Sequence, residues 1–202
     1  MMTSREFLSL LFAHPSLNGL YLAIWDRQTK ATAAFQLPDL EGAACNAEAR
    51  AESQDVYFGV CPYTSINAGS RGTADQAGAL LGVWLDVDVR HPDAHKAENI
   101  PETREQAFDL IYEMPERPSA VVSSGYGLQA WWLFDAPLLI TDTKTRIEAA
   151  AASTGWVAMA NRRAAKHGWK LDPVGDLARV LRLPGTWNRK GAEPKAVEVV
   201  RK

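Results

Sequence analysis

The run Gly82-Val83-Trp84-Leu85-Asp86-Val87-Asp88-Val89 constrains this chain more than any other segment. Apolar and β-branched residues fill it, so it reads as a buried strand, yet it carries two carboxylates. With a two-residue period Asp86 and Asp88 fall on the same face, roughly 6–7 Å apart at their Cα atoms. Like charges placed so closely on an apolar strand repel unless something positive lies between them. A divalent cation fits, because Mg²⁺ takes one or two carboxylates and completes its shell with substrate phosphates and water. A strand end whose acids simply face water fits the same pattern.

Strands and helices alternate around this run. Thr3 and Glu6 form a capping box ahead of Phe7, Leu8, Leu10, Leu11 and Phe12, the apolar side of a first helix. Strands are expected at Leu20–Trp25, Ala31–Leu37 and Asp55–Cys61. Helices are expected at 39–52, at Glu102–Met114, at 142–167 with a break at Gly155, and, as a short one, near 176–181. Ala120–Ser124 and Gln129–Phe134 read as a hairpin about Gly125-Tyr126-Gly127, and Ala196–Val200 as a closing strand. A tight hairpin within an alternating pattern favours an α/β (α+β), mixed-sheet fold over a doubly wound parallel one. The expected organisation is one domain over 1–202. Residues 1–80 supply N-terminal lobe elements, 81–191 a motif-bearing core, and 192–202 a closing strand or tail.

A chain of 202 residues, 47% apolar, is long enough to bury roughly 70% of its extended surface, so it needs no staples. Cys45 and Cys61 are too few for a disulfide scaffold or a four-ligand zinc cluster. The N-terminal apolar run is too short for a signal peptide, and no stretch approaches 18 apolar residues. A cytoplasmic protein in a reducing compartment is therefore expected. The net charge of −2 conceals an asymmetry: residues 161–202 hold eleven Lys/Arg against four acids, while the remainder is acidic. Such a basic stretch suits a polyanion such as nucleic acid or nucleotide phosphate, or is a solvated basic face.

Two further segments bear on chemistry. In Ser123-Ser124-Gly125-Tyr126-Gly127-Leu128-Gln129 small residues let backbone N–H groups approach an anion, although a plain hairpin turn reads the same way. Trp131 and Trp132 follow on opposite faces, one for the core and the other for a surface or cleft where it could stack on a base, although core packing for both is the stronger expectation. In LDPVGDLARVLRLPGTWNRKG, residues 171–191, Asp172 lies close to several cations, and Arg179 and Arg182 are i,i+3 neighbours on one helical face. A carboxylate among cations suits either a metal-and-triphosphate site or an internally paired cluster.

Taken in order, D-V-D on a strand, S-G-x-G-x-Q on a hairpin and R-x-x-R-L-P-G-T-x-N-x-K resemble the archaeo-eukaryotic primase superfamily. The likeness is closest to the primase-polymerase domains of plasmid, phage and integrated-element replication proteins. It spans about residues 55–191, and RVLRLPGTWNRK is its most specific part. The resemblance implies a primase-polymerase core with an RRM-like palm and an active site in a cleft between two lobes. It implies that Asp86, Asp88 and Asp172, with Asp176 as the alternative third acid, hold two divalent metals, Mg²⁺ or Mn²⁺. It further implies nucleotide contacts from Ser124, Gly125, Gln129, Arg182, Asn188 and Lys190, with Arg179 beside them. The implied activity is template-directed transfer from NTP or dNTP to a 3′-hydroxyl, with single-stranded DNA template, a primer, and a helicase domain or protein as partners. Where that family commonly has His, this chain has Gln129, which can donate a hydrogen bond but carries no charge. A catalytically silent nucleic-acid- or nucleotide-binding module on the same fold is the alternative. A D-x-D sugar-nucleotide glycosyltransferase leaves the basic segment without a role, and a metal nuclease fits the carboxylates about as poorly.

Overall fold

The computed structural model describes residues 2–67 and 69–201; Met1, Ala68 of the SINAGSRGT loop and Lys202 of the basic C-terminal stretch lie outside them. The helices are α1 (Ser4–Phe12), α2 (Leu40–Ala51), α3 (Arg104–Tyr112) and α4 (Thr143–Ala164). The strands are β1 (Tyr21–Asp26), β2 (Thr32–Gln36), β3 (Val56–Gly59), β4 (Ala79–Asp88), β5 (Ala120–Ser123), β6 (Gly127–Leu139), β7 (Val180–Arg182), β8 (Trp187–Asn188), β9 (Lys195–Ala196) and β10 (Glu198–Arg201). They form one sheet in the order β2-β1-β3-β7, a second in the order β10-β5-β6-β4, and a short ribbon β8-β9. Every one of these pairings is antiparallel, the α+β form of the expected class.

The helix starts follow from their caps. Thr3 accepts from the Glu6 backbone while the Glu6 carboxylate accepts from the Thr3 N–H, and Thr103 with Gln106 repeats the device at α3. Asp142 caps α4, which runs through Gly155 without a break. One exposed glycine costs a helix about 1 kcal/mol, too little to split one of this length. The buried stripe of α4, Ala149, Ser153, Val157, Ala160 and Ala164, is made of small side chains and lets the helix lie close on β4. Among the described residues no helix is long and apolar enough to cross a membrane.

The two large sheets share one core. Phe58 of β3 stacks on Trp131 of β6 at 5.7 Å, Trp131 meets Trp84 of β4 at 5.7 Å, and Phe7 of α1 packs edge-on to Phe58 and Trp131. Trp132 points to the opposite face, packs on Trp156 of α4 at 5.0 Å and donates its indole N–H to Glu116 O. Both tryptophans are thus packing residues, buried on separate faces of the sheet.

The segment expected as a short helix near 176–181 is instead a turn leading into β7. Leu177, Val180 and Leu181 are buried there, and β7 pairs with β3, so the edge of the first sheet captures the run that helical periodicity favours. Arg179 and Arg182 therefore do not share a helical face. This return strand also carries part of the 81–191 region back onto the sheet built from N-terminal elements.

Candidate active site

On β4 the face that looks toward the first sheet carries Trp84, Asp86 and Asp88 in succession, opposite Trp131, Gln129 and Gly127 of β6. The tryptophan pair belongs to the core. The next rows are polar, and there the core opens into a cleft of about 200 Å³ between the sheets. Tyr57 of β3 and Val180, Leu181 and Arg182 of β7 form its far wall, and Arg27, His95, Ser124, Asp172, Asn188 and Lys190 complete the lining.

This cleft gathers most of the residues singled out in the sequence: Asp86, Asp88, Asp172, Ser124, Gln129, Arg182, Asn188 and Lys190. Asp172 lines it and Asp176 does not; the Asp176 carboxylate is ion-paired with Arg179 at 2.6 Å. The Asp172 segment is pinned because Trp84 Nε1 donates to Val174 O at 2.8 Å and Asn161 Oδ1 accepts from Leu171 N at 2.9 Å. Arg179 lies outside the lining, and one of its amino groups donates to Pro173 O. Gly125 also lies outside. Its φ of +93° requires glycine, and a Cβ would stand only 3.0 Å from the Cβ atoms of both Asn188 and Lys195. The ribbon β8-β9 crosses the β5–β6 turn at that point, so Gly125 is there to let two backbones approach.

Several cations of the basic stretch are committed to the fold. Arg182 ion-pairs with Asp55, and its guanidinium lies 4.7 Å over the Tyr57 ring. Asn188 donates through Nδ2 to Ser124 O and accepts from Lys190 N, clamping the ribbon to the hairpin. The Arg189 guanidinium donates to Ala51, Glu52 and Gln54 carbonyls at the C-terminal end of α2. A cation there satisfies orphan carbonyls and opposes the helix dipole. Arg189→Ala is expected to lower stability by about 1–2 kcal/mol in urea unfolding, with nucleotide affinity unchanged. Lys190, by contrast, extends to the cleft, where its ammonium lies 3.2 Å from His95 Nε2.

The electrostatics turn on Asp86. Burial pushes its carboxyl up to about 7, and the Asp88 charge adds to the rise, while Arg182, His95 and Arg179 pull the other way. His95 Nδ1 lies 3.0 Å from Asp88 Oδ2 and its Nε2 3.2 Å from the Lys190 ammonium, so the ring stands between the two. The Gln129 Oε1 atom, next to Asp86 across the strands, is buried and has no hydrogen-bond partner.

Among the described residues no three His, Cys, Asp or Glu side chains are grouped closely enough to enclose an ion. The donors that are present still suit a hard divalent cation in an open site. They comprise two carboxylates on one face, a third carboxylate in the same lining and an orphaned amide oxygen, all oxygen ligands.

His95, Arg27 and Tyr57 were not anticipated from the sequence. His95 lies in the loop after β4, which folds back through a bridge between His91 and His95; nothing in its local sequence marks it. Arg27 follows β1 in a turn and is equally unmarked. Tyr57 had a signal, since a phenol alternates with buried Val56 and Phe58 and so faces away from the core.

No family model and no curated protein matches this sequence. Solved structures do match. The AEP domain of the cyanophage S-2L primase-polymerase (PrimPol) superposes with a TM-score of 0.56 at 18% identity, over 96% of this chain and 86% of that one. The catalytic domain of primase RepB′ in complex with initiator DNA gives 0.53 at 17% identity, over 98% and 85%. A longer RepB′ primase gives 0.51 at 19% identity, and this chain spans about half of its length, 51%. This chain therefore has the fold of the AEP primase-polymerase domain, two antiparallel sheets about a polar cleft.

Proposed function

We propose that this protein is a nucleotidyltransferase, a DNA primase or DNA polymerase that joins NTP or dNTP to a 3′-hydroxyl on a single-stranded DNA template. The observation that carries the reading is the meeting, in one cleft, of the Asp86/Asp88 pair with Asp172 and the cations Arg27, Arg182 and Lys190. Carboxylates on one wall and cations on another suit a triphosphate carried in with divalent metal.

Asp86 and Asp88, with Asp172 beside them, would hold Mg²⁺ or Mn²⁺. When bound, the metals lower the pKa of the attacking hydroxyl and neutralise the leaving pyrophosphate. Lys190 and Arg27 supply positive charge for phosphate oxygens. Arg182 is fixed by Asp55 and Tyr57 and presents its charge with little reorganisation. Asn188 holds the Ser124 turn in place. Gln129 can orient a ligand but cannot move a proton. The imidazole in this cleft is His95, which stands between Asp88 at 3.0 Å and the Lys190 ammonium at 3.2 Å.

The test is incorporation of labelled nucleotides on single-stranded DNA, with and without primer, in Mg²⁺ or Mn²⁺. Wild-type product that disappears in Asp88→Asn supports the reading, and product without primer makes the protein a primase. Absence of product with DNA binding intact would favour the silent binding module, the reading that Gln129 supports.

A further inference from the structure

A second cleft, of about 460 Å³, lies across the β5–β6 turn from the candidate active site. Strand alternation separates the two: Gln129 pairs with Val122 on the face toward the first cleft, while Ser123, one residue on, faces the second. The second cleft is lined by Arg90, His91, Arg104, Tyr126 and Lys195, with Glu198 as its one carboxylate among the described residues.

We infer that this second cleft binds a phosphate group, of either the nucleic-acid strand engaged at the active site or a second nucleotide. The inference rests on the nucleotidyltransferase reading. Three observations carry it. Lys195 Nζ is held 4.2 Å over the Tyr126 ring and 3.3 Å from His91 Nε2, and neither Lys195 nor Arg104 is in an ion pair among the described residues. Arg90 spends its amino groups on Glu102 and Glu98 O, yet its Nε is buried with no partner. An orphaned guanidinium donor beside unmatched cations is a costly arrangement that an oxyanion satisfies.

The third observation is continuity. The ribbon β8-β9 runs from Asn188 in the first cleft to Lys195 in the second, crossing over Gly125. The loop after β4 does the same with its two histidines, His95 in the first cleft and His91 in the second. Whatever binds in one cleft therefore touches segments that shape the other.

Two variants of the full chain test this. Arg104 is exposed at the first position of α3, where a carboxylate suits the helix dipole, so Arg104→Glu should fold. Lys195→Gln is the second, keeping most of the side chain's length over Tyr126. Binding of labelled oligothymidylate is followed by anisotropy across a salt series, and binding of a fluorescent dATP analogue is titrated separately. If the occupant is the strand, each variant weakens oligonucleotide binding by about tenfold and lowers the salt slope by about one phosphate contact. If the occupant is a nucleotide, oligonucleotide affinity holds and the analogue's stoichiometry falls from two sites to one. Wild-type affinity and stoichiometry for both ligands in both variants would overturn the inference, and wild-type incorporation in the same preparation would show that the nucleotidyltransferase reading survives it. A wild-type protein that binds neither ligand would overturn both.

Discussion

Asp86→Asn is expected to cut nucleotide incorporation by on the order of 10²–10³-fold or more, while making the fold more stable at pH 8. The loss follows from the removal of one of two charges that face the cleft from β4. The gain follows from linkage. Burial and the Asp88 charge raise the Asp86 carboxyl to about 7 from an ordinary value of 3.8. The folded state therefore holds that proton more tightly than the unfolded chain does. The stabilisation this provides is present below about pH 4 and lost as pH rises toward 7, above which the ionised group opposes folding. Asn is neutral throughout, so the variant's advantage should grow between these values and level off near 1–3 kcal/mol, reduced by the cleft's opening to water. Urea unfolding at pH 4 and pH 8 measures it. A variant less stable than wild type at pH 8 would show that Asp86 is held in the fold by contacts rather than kept there for its charge.

What the sequence disclosed of this site was set by alternation. Asp86 and Asp88 could be placed on one face because a strand's period is two, and the S-G-x-G turn could be placed because glycines and a short loop allow little else. The route by which Arg182 reaches the cleft was hidden for a physical reason. Arg182 reads as helical by spacing, but the exposed edge of β3 captures residues 180–182 into a sheet, and that pairing spans more than a hundred residues. Local propensity carries no information about such an edge. His95 was invisible in the same way, since a loop doubling back through His91 depends on what it folds against. The resemblance marks Asn188 and Gly125 as nucleotide contacts; their second use, where the ribbon crosses the hairpin turn, depends on a tertiary contact that local sequence does not carry.

The basic character of residues 161–202 shows how composition and use diverge. Arg163 donates to Glu113 O, Arg179 pairs with Asp176, Arg182 with Asp55, and Arg189 caps α2. Part of the apparent polyanion surface is thus intramolecular bracing. Of the other cations, Lys190 at one cleft and Lys195 at the other are placed by a ribbon whose own position depends on that bracing.

The largest effect on stability is expected at Asp55. Its carboxylate receives Arg182 Nη1 and the Arg189 backbone N–H on Oδ1 and Gln28 Nε2 on Oδ2, and both members of the Asp55–Arg182 pair are buried. Burial alone would raise its pKa; the Arg189 N–H, the Arg182 charge and hydrogen bond, and the Gln28 amide outweigh it and hold the carboxyl below its usual range. The stability this contributes is present above the unfolded value near 4 and lost as pH falls through the lower folded one. Asp55→Ala strands a buried guanidinium over Tyr57 and leaves the Arg189 N–H without an acceptor, which should cost about 3–5 kcal/mol and lower the melting temperature by about 10 °C. Adding Arg182→Met removes the stranded charge and should recover part of that loss, but not the share belonging to Arg189 and Gln28. A double-mutant cycle by thermal and urea unfolding separates the two contributions. A single variant that loses less than about 1 kcal/mol would show that the pair breaks even against its own desolvation, and that packing alone ties β7 to β3.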